Sequence, residues 1–271
     1  MFGEEAHKIV YLVSPPRSLS VGFLRMMQAR GDFKIYHEPT INAHHLMNQH
    51  LFCRDWYREK AFQTFEEVKK AIFKEESNVF VKEMSFSLLT FIDEDLIKNE
   101  NVYFVFLFRD PHHAIISLYK KIGSIVEDFH DAVGYEAAYE IFQKIVENKA
   151  RRPLILFSEE LASKPKEVIV QFCNYVGVPF DENSLTWPSL GENFSGYHEW
   201  HECKKTELTQ HWHGNAIQST QFGPLTTYQI DSQGNPTFSE IQDLSDREEC
   251  KKAYIKALPY YLFFKDRAAF E

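Results

Sequence analysis

The sequence predicts an α/β fold: a three-layer sandwich with helices on both faces of a mostly parallel central sheet. Three observations carry this. Short apolar runs alternate with helical patterns through about residue 180. The clearest run, Val102 to Phe108, is seven consecutive strand formers, which implies burial on both faces, as at the centre of a parallel sheet. The first run, 8–14, ends at Pro15-Pro16 and gives way to a helical pattern, a strand–loop–helix junction near the N-terminus.

The elements follow in order. Residues 8–14 form a buried strand, and Ser18 or Leu19 opens a helix to about Arg30, where Gly31-Asp32 stops it. Lys34-Ile35-Tyr36 is a second short strand, closed by His37-Glu38-Pro39. Residues 40–60 read as helix plus loop. Thr64 to Lys74 is a helix whose Thr64-Phe65-Glu66-Glu67 start has the form of a capping box. Asn78 to Lys82 is a third strand, Asp93 to Lys98 a short helix, and Val102 to Phe108 the fourth strand. Arg109-Asp110-Pro111 ends it, and a helix follows through Tyr119. A helix covers roughly 131–149, Pro153 to Phe157 is a fifth strand, and Lys166 to Val176 is an amphipathic helix stopped by Gly177. The final helix, Glu248 to Phe264, is expected to be interrupted at Leu258-Pro259.

With 271 residues, 44 % of them apolar, the chain can bury a full core and is read as a single domain, 1–271. From about 184 to 247 polar residues and turn formers dominate, and Trp187, Trp200 and Trp212 occur with His198, His201, His211 and His213. This stretch is expected to be a lid or acceptor-binding segment, its tryptophans serving either an aromatic acceptor pocket or core packing. A net charge of −9 argues against nucleic acid as a partner, so any anionic ligand must be held by a local basic pocket. Cys53, Cys173, Cys203 and Cys250 are far apart and form no C-x-x-C pair, which favours reduced thiols over disulfides or zinc. With no signal-like start and no apolar run long enough to span a bilayer, a cytoplasmic protein is expected.

The residues with chemical content cluster at strand ends, where ligands bind in parallel sheets. Ser14-Pro15-Pro16-Arg17-Ser18-Leu19-Ser20 lacks the glycines and lysine of G-x-x-x-x-G-K-[ST], so ordinary magnesium-dependent nucleotide hydrolysis is disfavoured. It keeps the context of a phosphate loop. Arg17 supplies fixed charge, Ser18 and Ser20 supply hydroxyls, and the backbone N–H groups of residues 17–20 point from a helix N-terminus. A plain turn and helix cap is the alternative. Arg109 stands at the end of the fourth strand with Ser117 eight residues on, a spacing that can turn the serine back toward the guanidinium to make a second anion site.

In this arrangement the sequence resembles the sulfotransferases that use 3′-phosphoadenosine-5′-phosphosulfate, whose fold is P-loop NTPase-like. The likeness is greatest to bacterial-type members reading P-R-S-L-S, R-G-D, H-E-P and K-[DE]-M. This chain has Pro16 to Ser20, Arg30-Gly31-Asp32, His37-Glu38-Pro39 and Lys82-Glu83-Met84. Leu154 to Leu161 resembles the family's Y-E-D-L strand, and Tyr175 to Phe180 its F-L-G-[LV]-P-F close. The likeness covers residues 8–182 in order. It departs at Arg17, where many members carry Lys, at Leu19 in place of a loop glycine, and at Ser158, where many have a Tyr near the adenine. The R-K-G-x-x-G motif of animal cytosolic enzymes is missing, with Lys204-Lys205 or His213-Gly214 to Ser219-Thr220 as candidate replacements.

The resemblance implies transfer of a sulfuryl group from this donor to a hydroxyl or amine of a small acceptor. It implies that Arg17, Ser18, Leu19 and Ser20 hold the 5′ end and that Arg109 and Ser117 hold the 3′-phosphate. It also implies that Glu38 is the base, with His37 as second candidate, and that Arg17 stabilises the leaving oxygen. Lys82 either touches the phosphosulfate or snorkels from its strand end. No metal is expected, and the histidine spacings, including His44-His45, match no tetrahedral site. A non-catalytic nucleotide-binding protein of the same fold and a P-loop hydrolase or kinase are the alternatives.

Overall fold

A computed structural model describes residues 7–48, 62–127, 129–189 and 207–268, with Glu207 to Gln210 described in backbone only. Trp200, His198, His201, Lys204, Lys205, Cys53 and Cys203 lie outside the described residues.

Five strands, β1 (Ile9–Ser14), β2 (Lys34–His37), β3 (Val79–Met84), β4 (Val102–Phe108) and β5 (Leu154–Phe157), form an all-parallel sheet in the order β2-β3-β1-β4-β5. Strand β1 is central, with β3 on one side and β4 on the other. The chain changes direction across the sheet at β1, and the crevice beyond its C-terminal end is the expected ligand site. Register brings Ser14 level with Met84, and His37 level with Lys82, so the ends of β1, β2 and β3 open onto one place.

Side chains alternate across the sheet and both faces are covered, as the unbroken apolar runs require. On one face Tyr11, Val13, Val81, Phe104 and Phe106 pack under α4 (Ser85–Phe91), α6 (Pro111–Ile122), α8 (Tyr135–Asn148) and α12 (Leu244–Ala268). On the other, Val10, Leu12, Phe80, Val105 and Leu107 pack under α1 (Ser20–Arg30) and α10 (Pro165–Val176). Trp187 joins this second core at 5 % exposure, so core packing is its role.

The remaining helices are α2 (Ile41–Asn48), α3 (Phe65–Phe73), α5 (Glu94–Lys98), α7 (Phe129–Ala132), α9 (Ser158–Ser163) and α11 (Glu207–Gln218). The capping box at Thr64 forms with both of its hydrogen bonds. Gly31 ends α1 in the left-handed conformation at φ 74. The helix expected over 131–149 is divided, because Gly134 takes φ 78 between α7 and α8.

Pro259 does not interrupt the last helix, contrary to the sequence expectation. The carbonyl it leaves without an intrahelical donor is that of Ile255, whose residue is 68 % exposed and open to water. Ala253, Ala257, Tyr261 and Phe264 meanwhile hold the helix against the core from both sides of the proline. Among the described residues no helix is long and apolar enough to cross a membrane.

Candidate active site

Beyond the C-terminal ends of β1 and β3 lies a cavity of about 280 Å³. Its wall includes Arg17, Ser18, Leu19, Ser20, Glu38, Lys82, Arg109 and Ser117, together with Trp212, His213 and the segment 221–226. Most of the residues singled out in the sequence thus meet in one place.

The loop from β1 to α1 is bent into a shape that L-residues seldom adopt. Arg17 has φ 66 and Leu19 φ 62, both left-handed and neither a glycine. Leu19 is the N-cap of α1 and offers no side-chain cap, nor is there an acidic residue in the first turn. The first N–H groups of α1 are therefore left to an outside acceptor. The Ser18 hydroxyl is fully buried in this loop with no hydrogen-bond partner.

The Arg17 guanidinium donates from Nε to Ser117 Oγ at 3.1 Å and from NH1 to the Trp212 carbonyl at 3.1 Å. Among the described residues it meets no carboxylate. Burial, and then the neighbouring Arg109, push its pKa down to about 10. Arg109, 5 % exposed, donates from NH1 to the Arg17 carbonyl at 3.2 Å and from NH2 to the Thr226 carbonyl, while its Nε has no partner. Its pKa is also lowered by burial, partly offset by Glu159. Ser117 accepts from Arg17 and not from Arg109, toward which the sequence spacing turned it, so the two expected anion sites meet in one continuous basic cleft. A half-buried and a buried guanidinium, an orphaned Nε, an orphaned hydroxyl and an uncapped helix give this cleft positive charge and donors of the kind an anion takes. A nucleotide 3′-phosphate-5′-phosphosulfate fits these donors.

Facing this cleft is a second cluster. Glu38, at φ 53, closes β2 through its N–H, which donates to the Lys82 carbonyl at 2.7 Å. Its carboxylate is ion-paired with the buried Lys82 ammonium, and His37 Nε2 lies 3.3 Å from the same oxygen. Burial would raise the Glu38 pKa, but Lys82 and His37 outweigh it and hold it well below the usual carboxylate range. His213 of α11 packs edge-on against His37, with ring centroids 5.1 Å apart, and burial keeps its pKa well below that of free imidazole.

The sequence named Trp212 only as a candidate for an acceptor pocket or for packing, and His213 only as the start of a candidate replacement motif; both line the cavity. They join the cavity across almost two hundred residues, and no local pattern marks them. Of the candidate replacements for R-K-G-x-x-G, His213 and Ser219 line the cavity. Ser158 is fully buried behind the anion loop, where its single O–H lies between two acceptors, the carbonyls of Ser18 at 2.7 Å and Phe108 at 2.8 Å. It braces the loop and does not line the cavity. Among the described residues no group of three His, Cys, Asp or Glu is placed to hold a metal ion.

Comparison with known proteins agrees with this geometry. The sequence matches the family described as Sulfotransferase domain over residues 8–231. No curated protein matches it. Among solved structures, the sulfotransferase domain from the curacin biosynthetic pathway superposes with a TM-score of 0.50 at 14 % identity, over 92 % of this chain and 98 % of that one. The sulfotransferase domain of the Synechococcus PCC 7002 olefin synthase gives 0.47 at 18 % identity, over 94 % and 98 %. The first of these shares the α/β fold with its parallel sheet, and the family match spans both strand-end loops of the cavity. The chain therefore belongs to the sulfotransferase domain family and is an enzyme of that family.

Proposed function

We propose that this enzyme moves a sulfuryl group from 3′-phosphoadenosine-5′-phosphosulfate to the hydroxyl or amine of a small acceptor, with the residues of the cleft in specific roles. The observation that carries the reading is the pair of guanidiniums, half-buried Arg17 and buried Arg109, beside an uncapped helix N-terminus. Arg17, Ser18, Leu19 and Ser20 hold the 5′ end, and Arg109 with Ser117 holds the 3′-phosphate. The donor supplies the sulfuryl group and leaves as the 3′,5′-bisphosphate. Arg17 and the α1 N-terminus offset the charge that develops on the departing oxygen.

Glu38 takes the acceptor's proton. It is ionised, as a base must be, but its pairing with Lys82 makes it a weak one. An anion in the cleft competes for Lys82, and each step of Lys82 toward that anion raises the basicity of Glu38. Lys82 thus links donor binding to activation of the base. His37 supports Glu38 from the other side. The motif order P-R-S-L-S, R-G-D, H-E-P and K-[DE]-M supports membership in the bacterial-type subgroup. Buried, unbridged Cys173 and Cys250 support a reducing, cytoplasmic setting.

Calorimetric titration tests the reading. Adenosine 3′,5′-bisphosphate is expected to bind, and to bind more tightly than ATP. Tight ATP binding with none of the bisphosphate would overturn it.

A further inference from the structure

Glu83 is the one residue of the Lys82-Glu83-Met84 motif that has no role in the cavity. It lies on β3, fully buried, and does not line the cavity wall. Its carboxyl instead reaches the turn that follows β2. The Thr40 N–H donates to Glu83 Oε1 at 2.9 Å, and Ser87 Oγ lies 3.4 Å from Oε2. The Thr40 hydroxyl donates to Ser87 Oγ at 3.1 Å and closes the ring of contacts.

Thr40 stands two residues after Glu38 and follows Pro39, which has no N–H to give. Glu38 sits in the left-handed region at φ 53, which is strained for a non-glycine residue and persists only where the surroundings enforce it. At its start the turn is tied by the Glu38 N–H to the Lys82 carbonyl. At its end it is tied by Glu83. Both ties come from β3, so one strand fixes the direction in which Glu38 enters the cavity.

The charged and titratable groups facing Glu83 are Glu38 from the turn after β2, Lys82 on its own strand, and Tyr11 from β1. Burial pushes the Glu83 pKa up to about 8, against the lowering effect of the Thr40 hydrogen bonds. That direction favours the protonated carboxylic acid. It can accept from Thr40 and donate to Ser87 without drawing Lys82 away from Glu38. An ionised Glu83 would compete for that ammonium.

We propose that Glu83 is a positioning residue for sulfuryl transfer: its carboxyl pins the strained turn that presents Glu38, from a place no substrate reaches. The proposal rests on the reading of Glu38 as the base. It predicts that shape and hydrogen bonding are required at position 83, and that negative charge there is not required and is harmful where it appears.

The test compares Glu83→Gln and Glu83→Ala with the parent enzyme. Glutamine keeps the acceptor for Thr40 and a donor for Ser87. Bisphosphate release from the phosphosulfate donor is followed from pH 6 to 9.5, with water or 2-naphthol as probe acceptor, and bisphosphate affinity is measured by calorimetry. Glu83→Gln should turn over within about threefold of the parent and lack the parent's inflection near pH 8. Glu83→Ala should lose about tenfold or more in turnover while its bisphosphate affinity stays within about twofold. Equal loss in both variants, a persistent inflection in Glu83→Gln, or a parallel loss of affinity would overturn the proposal.

Thermal unfolding gives a readout that needs neither folded alanine variant nor acceptor. An acid with a raised pKa is protonated in the fold and ionised in the unfolded chain between its two pKa values, so its contribution falls as pH rises. The melting temperature of Glu83→Gln should therefore gain on the parent as pH goes from about 5 to about 8. A constant difference would sink the role of Glu83 as an uncharged pin. Absence of bisphosphate binding in the parent would instead sink the functional reading and leave the unfolding result to judge Glu83.

Discussion

Replacing Arg109 with alanine separates the two halves of the anion cleft. The guanidinium donates to the carbonyls of Arg17 and Thr226, and its Nε has no partner in the protein. Hydrogen bonds from a charged group contribute about 1.5–3 kcal/mol each. Against that loss, removal of Arg109 relieves one of the two causes that push Arg17 down to about 10. The opposing effects should leave the fold within about 2 kcal/mol of the parent. Binding has no such offset. Truncating one partner of a buried charge pair costs about 2–5 kcal/mol, or roughly 30- to 5,000-fold in affinity. Calorimetry at a fixed ionic strength of about 0.1 M, chosen because screening alters such values, compares adenosine 3′,5′-bisphosphate with adenosine 5′-monophosphate. The bisphosphate should lose about 30-fold or more, and the monophosphate no more than about threefold. Arg17→Ala should weaken both ligands. Proportional losses for both ligands in Arg109→Ala would refute the assignment of this arginine to the 3′-phosphate.

Four further outcomes follow from the geometry. Glu38→Ala should abolish transfer while bisphosphate affinity holds within about threefold; equal loss of both would remove Glu38 as the base. The depressed Glu38 pKa contributes stability that is present above the unfolded value of about 4.5 and lost as pH falls below it. In thermal unfolding the advantage of the parent over Glu38→Gln should thus shrink below about pH 4.5. At Leu19 the usual order of helix formers should invert: Leu19→Gly should be more stable than Leu19→Ala by about 1 kcal/mol in urea unfolding, because only glycine accepts φ 62 without strain. Gly134→Ala should cost about 2–4 kcal/mol, since its Cβ would lie 2.6 Å from Ser85 Oγ, which donates to the Gly134 carbonyl, and 3.5 Å from Pro16 of the anion loop. The same variant should bind the bisphosphate more weakly.

The strands were legible because each is a short run of β-formers ended by a breaker, and all five appear within a residue or two of their expected ends. Helix α4 was not. Ser85, Phe86, Ser87, Leu88 and Phe91 are all buried, so no polar face gives the segment a helical period. Its helix is imposed by packing against β3 and α8. Pro259 misled in the opposite way, since a breaker's effect depends on whether the carbonyl it strands meets water. In the site, Arg17, Ser18, Glu38 and Arg109 could be read because each sits beside a strand end. The charge on Glu38 could not, because the buried lysine that lowers its pKa lies 44 residues away on another strand. His213 was named only at the head of a candidate replacement motif, and its packing against His37 was not legible because the two lie far apart in the chain.

The contacts that close the cleft span very different distances along the chain. Arg17 is bonded to Ser117 across 100 residues and to Trp212 across 195, and Arg109 to Thr226 across 117. During synthesis, β1 and its loop emerge early, and β4 can pair with β1 well before the chain is complete. The two guanidiniums then wait for partners that come from its last quarter. A ligand that holds both arginines stabilises only the finished assembly, by RT ln(1 + [L]/Kd). A ligand bridging the two arginines would therefore stabilise the closed cleft, whose partners lie far apart along the chain, and not the sheet alone.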